Sequence, residues 1–190
     1  MKSGTGAWVQ GYNGQVAVDT EAQVIVACEL TNHAADAPHL AGMVDQVVQN
    51  TGLLPDELSA DAGYFSAASV ECLEQQGIEP LIPPDRERHG PPGATAEPLT
   101  PEEAAALPVA ERQRNRVSTE AGRAGYSKRK KTVEPVIGQI KGCPAAPGFC
   151  AFLRRGLRKC SEEWHWACAV HNFKKYIRYQ ARQHGRFVPV

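Results

Sequence analysis

LSADAGYFSAASVECLEQQGIEPLIP, running from Leu58 to Pro83, sets the fold class. Leu58 to Asp61 reads as a short strand that enters the tight segment Ala62-Gly63-Tyr64. Ser66 is placed to cap a helix flanked by Val70, Leu73 and Ile78 and ended near Gly77. Pro80-Leu81-Ile82-Pro83 reads as the next strand. A strand, a helix and a strand in that order predict parallel pairing, so the class is α/β with a mixed sheet.

Upstream of this unit, residues 12–30 predict a β-hairpin. Val16 and Val18 alternate with polar neighbours, QVIVACEL is a β-branched apolar run, and Asp19-Thr20-Glu21-Ala22 is a short polar turn. Asn32 to Pro38 reads as a loop. Leu40, Met43, Val44, Val47 and Val48 recur at helical spacing, and Gly52 stops that helix.

Downstream, residues 84–125 are rich in Pro, Ala and Gly and read as an exposed insertion. It carries one short helix, capped by Thr100 with Pro101 in its first turn. An apolar helical pattern then passes through Ile137 and Ile140. A last helix, from about Ser161 to Tyr179, carries Trp164, Cys168 and Phe173. At 190 residues the chain has room for one domain, taken as 1–190 with the insertion inside it.

The formal charge is zero, but its distribution is not even. Residues 1–110 hold 16 acidic side chains against three basic ones, whereas residues 111–190 hold 18 basic against five acidic. The basic residues come in runs, which points the second half towards a polyanion such as nucleic acid. Opposite charges could also neutralise each other within one fold. No stretch approaches the roughly 18 apolar residues that a membrane span needs, and MKSGTGAWVQ has no signal-peptide core. A cytoplasmic protein with reduced thiols is expected. Cys160, His165, Cys168 and His171 match no common zinc spacing. Cys160, Trp164, Cys168 and His171 share one helix face, which favours core packing.

Two segments carry candidate chemistry. Asp61 stands at the C-terminal end of a strand, where α/β sheets place their ligands, although it could simply cap the following turn. In Tyr126-x2-Arg129-x4-Glu134-x6-Lys141, Glu134 and Lys141 are seven apart, which puts them on one face if both are helical. A carboxylate that holds Mg²⁺ beside cations that grip phosphate (Lys128, Arg129, Lys130, Lys131) suits phosphodiester chemistry. A solvated helix with a surface Glu–Lys pair is the plain alternative.

Several strings together resemble the transposases of bacterial insertion sequences, in the IS4-like and IS1182-like groups. They are Gly11-Tyr12-Asn13-Gly14-Gln15, Ala60-Asp61-Ala62-Gly63-Tyr64, Val133 to Lys141, Phe152-Leu153-Arg154-Arg155-Gly156-Leu157, Glu163-Trp164 and His171-Asn172. The resemblance implies a ribonuclease H-like mixed sheet flanked by helices. It makes Asp61 and Glu134 two of three catalytic carboxylates around Mg²⁺ or Mn²⁺. Tyr126, Lys128, Arg129, Lys130, Lys131, Lys141, Arg154 and Arg155 would then contact DNA. The implied partner is double-stranded DNA at transposon ends, gripped by a homodimer on paired ends. The family signature has three residues between its arginine and glutamate. Here four separate Arg129 from Glu134, so Arg129 or Lys130 could fill the arginine role.

The family's first aspartate lies on a strand upstream of the segment matching Gly11-Tyr12-Asn13, and the ten residues before that segment contain no Asp or Glu. The expectation is therefore a chain incomplete at its N-terminus, with weak or no activity alone and an unpaired sheet edge. Asp19 is the substitute carboxylate to consider. A non-catalytic nucleic-acid-binding remnant and a metal-dependent nuclease of related fold are the competing functions.

Overall fold

The computed structural model describes residues 11–85, 95–142 and 151–185. In chain order its elements are β1 (Asn13–Val18), β2 (Ile25–Thr31), α1 (Leu40–Thr51), β3 (Glu57–Ser59), α2 (Ala67–Gln75), β4 (Glu79–Leu81), α3 (Pro101–Ala106), α4 (Val109–Ser118), α5 (Glu120–Lys141) and α6 (Leu157–Gln183). Short 3-10 turns lie at Ala37–His39 and Ala62–Tyr64. The chain forms two compact units. One combines residues 1–34 with 132–190, and the other is the continuous stretch 35–131.

In the discontinuous unit, β1 and β2 form the expected hairpin, antiparallel, with Val16 opposite Cys28. The turn closes where the Asp19 amide donates to the Val24 carbonyl (2.9 Å) and the Ala22 amide donates to Asp19 Oδ2 (2.6 Å). Helix α6 buries Cys160, Trp164, Cys168 and His171, the face foreseen from their spacing. Cys160, Trp164 and Cys168 join Ile25 and Leu30 from β2 and Val136 and Ile140 from α5 in one apolar core. Polar groups fix α6 against the hairpin backbone. Asn172 accepts from the Ile25 amide and donates to the Ile25 carbonyl (both 2.8 Å), and Trp164 Nε1 donates to the Gln15 carbonyl (3.4 Å). Helix α6 is longer than its expected bounds, and Phe173 is exposed rather than part of the core.

In the continuous unit, β3 and β4 pair in parallel, with Leu58 opposite Pro80, and α2 is the crossover between them. Ser66 caps α2 as expected: its hydroxyl accepts from the Ser69 amide at 3.0 Å. Helix α1 ends at Gly52 in the left-handed region. Leu40, Val44, Ala60, Leu73, Ile78 and Ile82 form the core of this unit.

Two features differ from the sequence reading. Residues 95–125 are not one short helix in an exposed stretch: they hold α3, α4 and the start of α5. Helix α4 is anchored by polar groups, which is why periodicity did not reveal it. Its one buried residue is Gln113, and Arg112 and Arg116 reach the Glu74 carboxylate at 2.7 and 2.8 Å. The second difference concerns the sheet. Among the described residues the strands make two separate two-stranded pairs, one antiparallel and one parallel. The fold is mixed α/β, but it does not contain a single continuous sheet in those residues. Residues 86–94, the Pro-rich half of the expected insertion, lie outside the described residues.

Candidate functional site

Asp61 sits two residues beyond the end of β3 and is exposed. It caps the 3-10 turn at Ala62–Tyr64: Oδ1 accepts from the Gly63 amide at 2.8 Å, and its carbonyl accepts from the Tyr64 amide at 3.1 Å. The capping role and the strand-end position are therefore both real, and neither excludes the other. The turn has no room for a side chain at position 63. A Cβ there would stand 2.7 Å from Asp36 Oδ2 and 3.0 Å from Asp61 Oδ1. Two carboxylates thus border one glycine. Sequence reading missed Asp36, because it fell in a loop and nothing local linked it to a residue 25 positions later.

Glu134 and Lys141 both lie on α5, so the condition for a shared face is met. Both are exposed, while Val136 and Ile140 turn inward. Pro135 follows Glu134 inside the helix and has no N–H to give to the Lys131 carbonyl four residues back.

The residues before Glu134 separate by role. Tyr126 is buried, and the Arg129 guanidinium lies over its ring, 5.3 Å from the centroid. Arg129 is half-buried, whereas Lys128, Lys130 and Lys131 are exposed. Lys130 stands four residues before Glu134, one helical turn away, so the two share a stripe of α5. Arg129, five residues before Glu134, does not fall on that stripe.

Arg154 is exposed, but its charge is engaged. It meets Glu163 at 3.0 Å and Glu162 at 2.9 Å, and it donates to the Lys159 carbonyl at 3.0 Å. Glu163 also accepts from the Leu153 and Arg154 amides, and the Leu153 amide first of all holds its carboxyl below the ordinary range. Arg155 is exposed beside it. Asp19 is tied into the hairpin turn by the Ala22 amide, the local role that a short polar side chain has there.

Asp61, Glu134 and Asp36 are hard oxygen donors of the kind that Mg²⁺ and Mn²⁺ take. Among the described residues no three His, Cys, Asp or Glu side chains gather to hold a metal ion. The donors fit such an ion in kind, and Asp61 and Glu134 belong to different units. No helix of the described residues is long and apolar enough to cross a membrane.

A family model described as the transposase DDE domain matches residues 1–173. The chain belongs to the DDE transposase family. No curated protein and no solved structure matches it. The match to the transposase domain runs from before the hairpin to Phe173 in α6, so it takes in Asp61, Glu134, Lys141 and the whole basic stretch of α5. Members of this family generally use divalent metal ions and act on DNA.

Proposed function

We propose that this chain supplies part of the machinery for metal-dependent DNA cleavage and strand transfer at transposon ends. Asp61 and Glu134 are two of its metal-holding carboxylates. The observation that carries the reading is the family match over residues 1–173, which spans a strand-end Asp61 and a helical Glu134 backed by lysines. A divalent ion held there would neutralise the scissile phosphate and acidify the attacking water or 3′-hydroxyl. The protein's own groups do the rest. The Gly63 amide orients Asp61. Lys130 and Lys141 place positive charge on the Glu134 face of α5, where a phosphate backbone would lie. We assign the signature's arginine role to Lys130, with Arg129 and Tyr126 as an internal brace. Lys128, Lys131 and Arg155 add non-specific phosphate contacts, and Arg154 contributes once its acidic partners are displaced.

In this reading the chain belongs to a single catalytic domain of the ribonuclease H-like, mixed-sheet class. The working form is a homodimer on paired DNA ends in the cytoplasm. Asp19 is held in a turn, which makes it a poor third carboxylate.

Mn²⁺ binding followed by electron paramagnetic resonance tests the assignment. Asp61→Asn and Glu134→Gln should each weaken binding about tenfold or more, since losing even a partner that only orients a metal ligand costs about that much. Unchanged binding in both variants would overturn it. The second reading, a non-catalytic nucleic-acid binder, is favoured by the basic excess in residues 111–190. It requires DNA affinity that falls steeply with salt and does not change with metal or with Glu134→Gln.

A further inference from the structure

Helix α6 carries two apolar faces, and the hairpin core uses one of them. The inner face holds Cys160, Trp164, Cys168 and His171. Polar bonds pin it to the hairpin: beside those of Trp164 and Asn172, His171 Nε2 donates to the Gln23 carbonyl at 3.0 Å, and Lys175 Nζ donates to Gln23 Oε1 at 2.9 Å. The outer face holds Trp166, Val170, Phe173 and Ile177, all exposed. Their spacing by four, three and four residues keeps them within about 60° of arc, on the side of the helix away from the buried residues. Tyr176 and Tyr179, also exposed, extend this face along one flank. Trp166 is 72% exposed and Phe173 63%. Among the described residues every exposed Phe, Trp or Tyr side chain lies on this one helix. Single apolar side chains at a surface mean little, but a contiguous row of large ones marks a binding surface.

The charge on the helix decides what kind of partner fits. Helix α6 holds six basic side chains against two acidic ones, Glu162 and Glu163, and both acids pair with Arg154. No Asp or Glu follows Glu163. The cations border the apolar row. Lys159, about two turns before Trp166, continues the row at its start. Lys174, four residues after Val170 and three before Ile177, stands on its edge, and Arg178 follows one turn on. A second copy of α6 would bring the same positive charge against itself, and a purely apolar partner would leave the cations unmatched. A ligand with flat rings and a regular run of anions matches both: bases stack on aromatic faces, and phosphates meet lysines and arginines. We propose that the outer face of α6 docks single-stranded DNA, with Trp166 and Phe173 as stacking surfaces and Lys159 and Lys174 as phosphate contacts. An unpaired strand offers base faces that a duplex keeps stacked on each other. The choice of DNA follows from the family, whose members act on it. This surface uses neither Asp61 nor Glu134 and needs no metal ion.

The test follows the anisotropy of a fluorescein-labelled oligothymidylate of about 20 nucleotides, titrated with the full chain. EDTA is present throughout, so the outcome is separate from that of the Mn²⁺ experiment. Trp166→Leu and Phe173→Leu keep the row apolar and helical but remove the π faces. Each should weaken binding about fivefold or more, the scale of losing one stacked base. Trp166→Phe, which keeps a ring, should retain most of the affinity. Lys159→Gln combined with Lys174→Gln should flatten the slope of log affinity against log salt by about 1.4, two phosphate contacts' worth. A measurement without substitution on this face uses a Trp8→Phe background, in which Trp166 is the exposed tryptophan on α6. There the oligonucleotide should shield Trp166 from acrylamide quenching. No binding by the wild-type chain, wild-type affinity in both leucine variants, or unchanged quenching would each overturn the proposal. Binding to phosphatidylserine vesicles, or a dimer that Phe173→Asp splits, in place of oligothymidylate binding would give this face another occupant and overturn it too.

Discussion

The two units hold together by different means. The unit built from residues 1–34 and 132–190 depends on contacts between residues far apart in sequence. Trp164 to Gln15, His171 to Gln23 and Asn172 to Ile25 each join positions nearly 150 residues apart. The unit formed by residues 35–131 is continuous in sequence and relies on nearer partners: the Ser66 cap, the Thr100–Glu103 capping box, and a parallel pair joined by its own crossover helix. Its longer-range anchors, Arg112 and Arg116 on Glu74, still span only about 40 residues. Bringing distant segments together costs more chain entropy before any contact repays it. The hairpin unit should therefore be the more sensitive to loss of a single packed side chain, and the crossover unit the more tolerant.

The largest test removes the keystone of the hairpin unit. Trp164 is 5% exposed and packs on Gly14, with ring atoms 3.1 Å from where a Cβ would stand. Trp164→Ala should cost about 3–5 kcal/mol in urea unfolding. Amide exchange should rise in β1 and β2 well before it rises in α2, and an equal rise in both units would break the comparison. Next in size is Gly122→Ala in the continuous unit. A Cβ at Gly122 would fall 1.9 Å from the Arg116 carbonyl oxygen, so the corner between α4 and α5 would have to open. About 1–3 kcal/mol is expected from such overpacking, read from the same unfolding curves.

Smaller again is Ser66→Ala, which removes the α2 cap and should cost about 1 kcal/mol, with loss of protection confined to the first turn of α2. The smallest effect is a pH dependence of the hairpin unit. Burial lowers the pKa of His171, and the nearby Lys175, Lys174 and Arg178 lower it further, against the opposing bond to Gln23. The folded protein then holds this imidazole neutral where the unfolded chain would protonate it. Stability should be at its full value above about pH 6.5 and fall as pH drops from there towards the lowered pKa. Melting temperatures between pH 8 and pH 5 check this, and His171→Gln should flatten the slope.

Much of the local architecture was legible in the sequence. Alternation gave the hairpin, Gly52 and Ser66 gave helix ends, and the four-residue spacing of Cys160, Trp164 and Cys168 gave the buried face of α6. Helix α4 was not legible, because it shows no apolar stripe: its inward residue is Gln113, and charged arginines secure it. Nor was Asp36 legible as a neighbour of Asp61, since proximity across a loop leaves no periodic trace. The choice between Arg129 and Lys130 looked open along the sequence. Our proposal favours Lys130, which stands one helical turn before Glu134 on α5.

The sequence by itself determined the segments that become strands and helices, the charge asymmetry, and the strings that mark a DDE transposase. These are local or additive properties, written in neighbouring side chains. Tertiary structure decided which distant residues meet: the hairpin and the buried face of α6, the carboxylates on either side of Gly63, and the polar anchors of α4 and α6. Such meetings depend on how the chain pays its entropy to close long loops, and no short window of sequence records that.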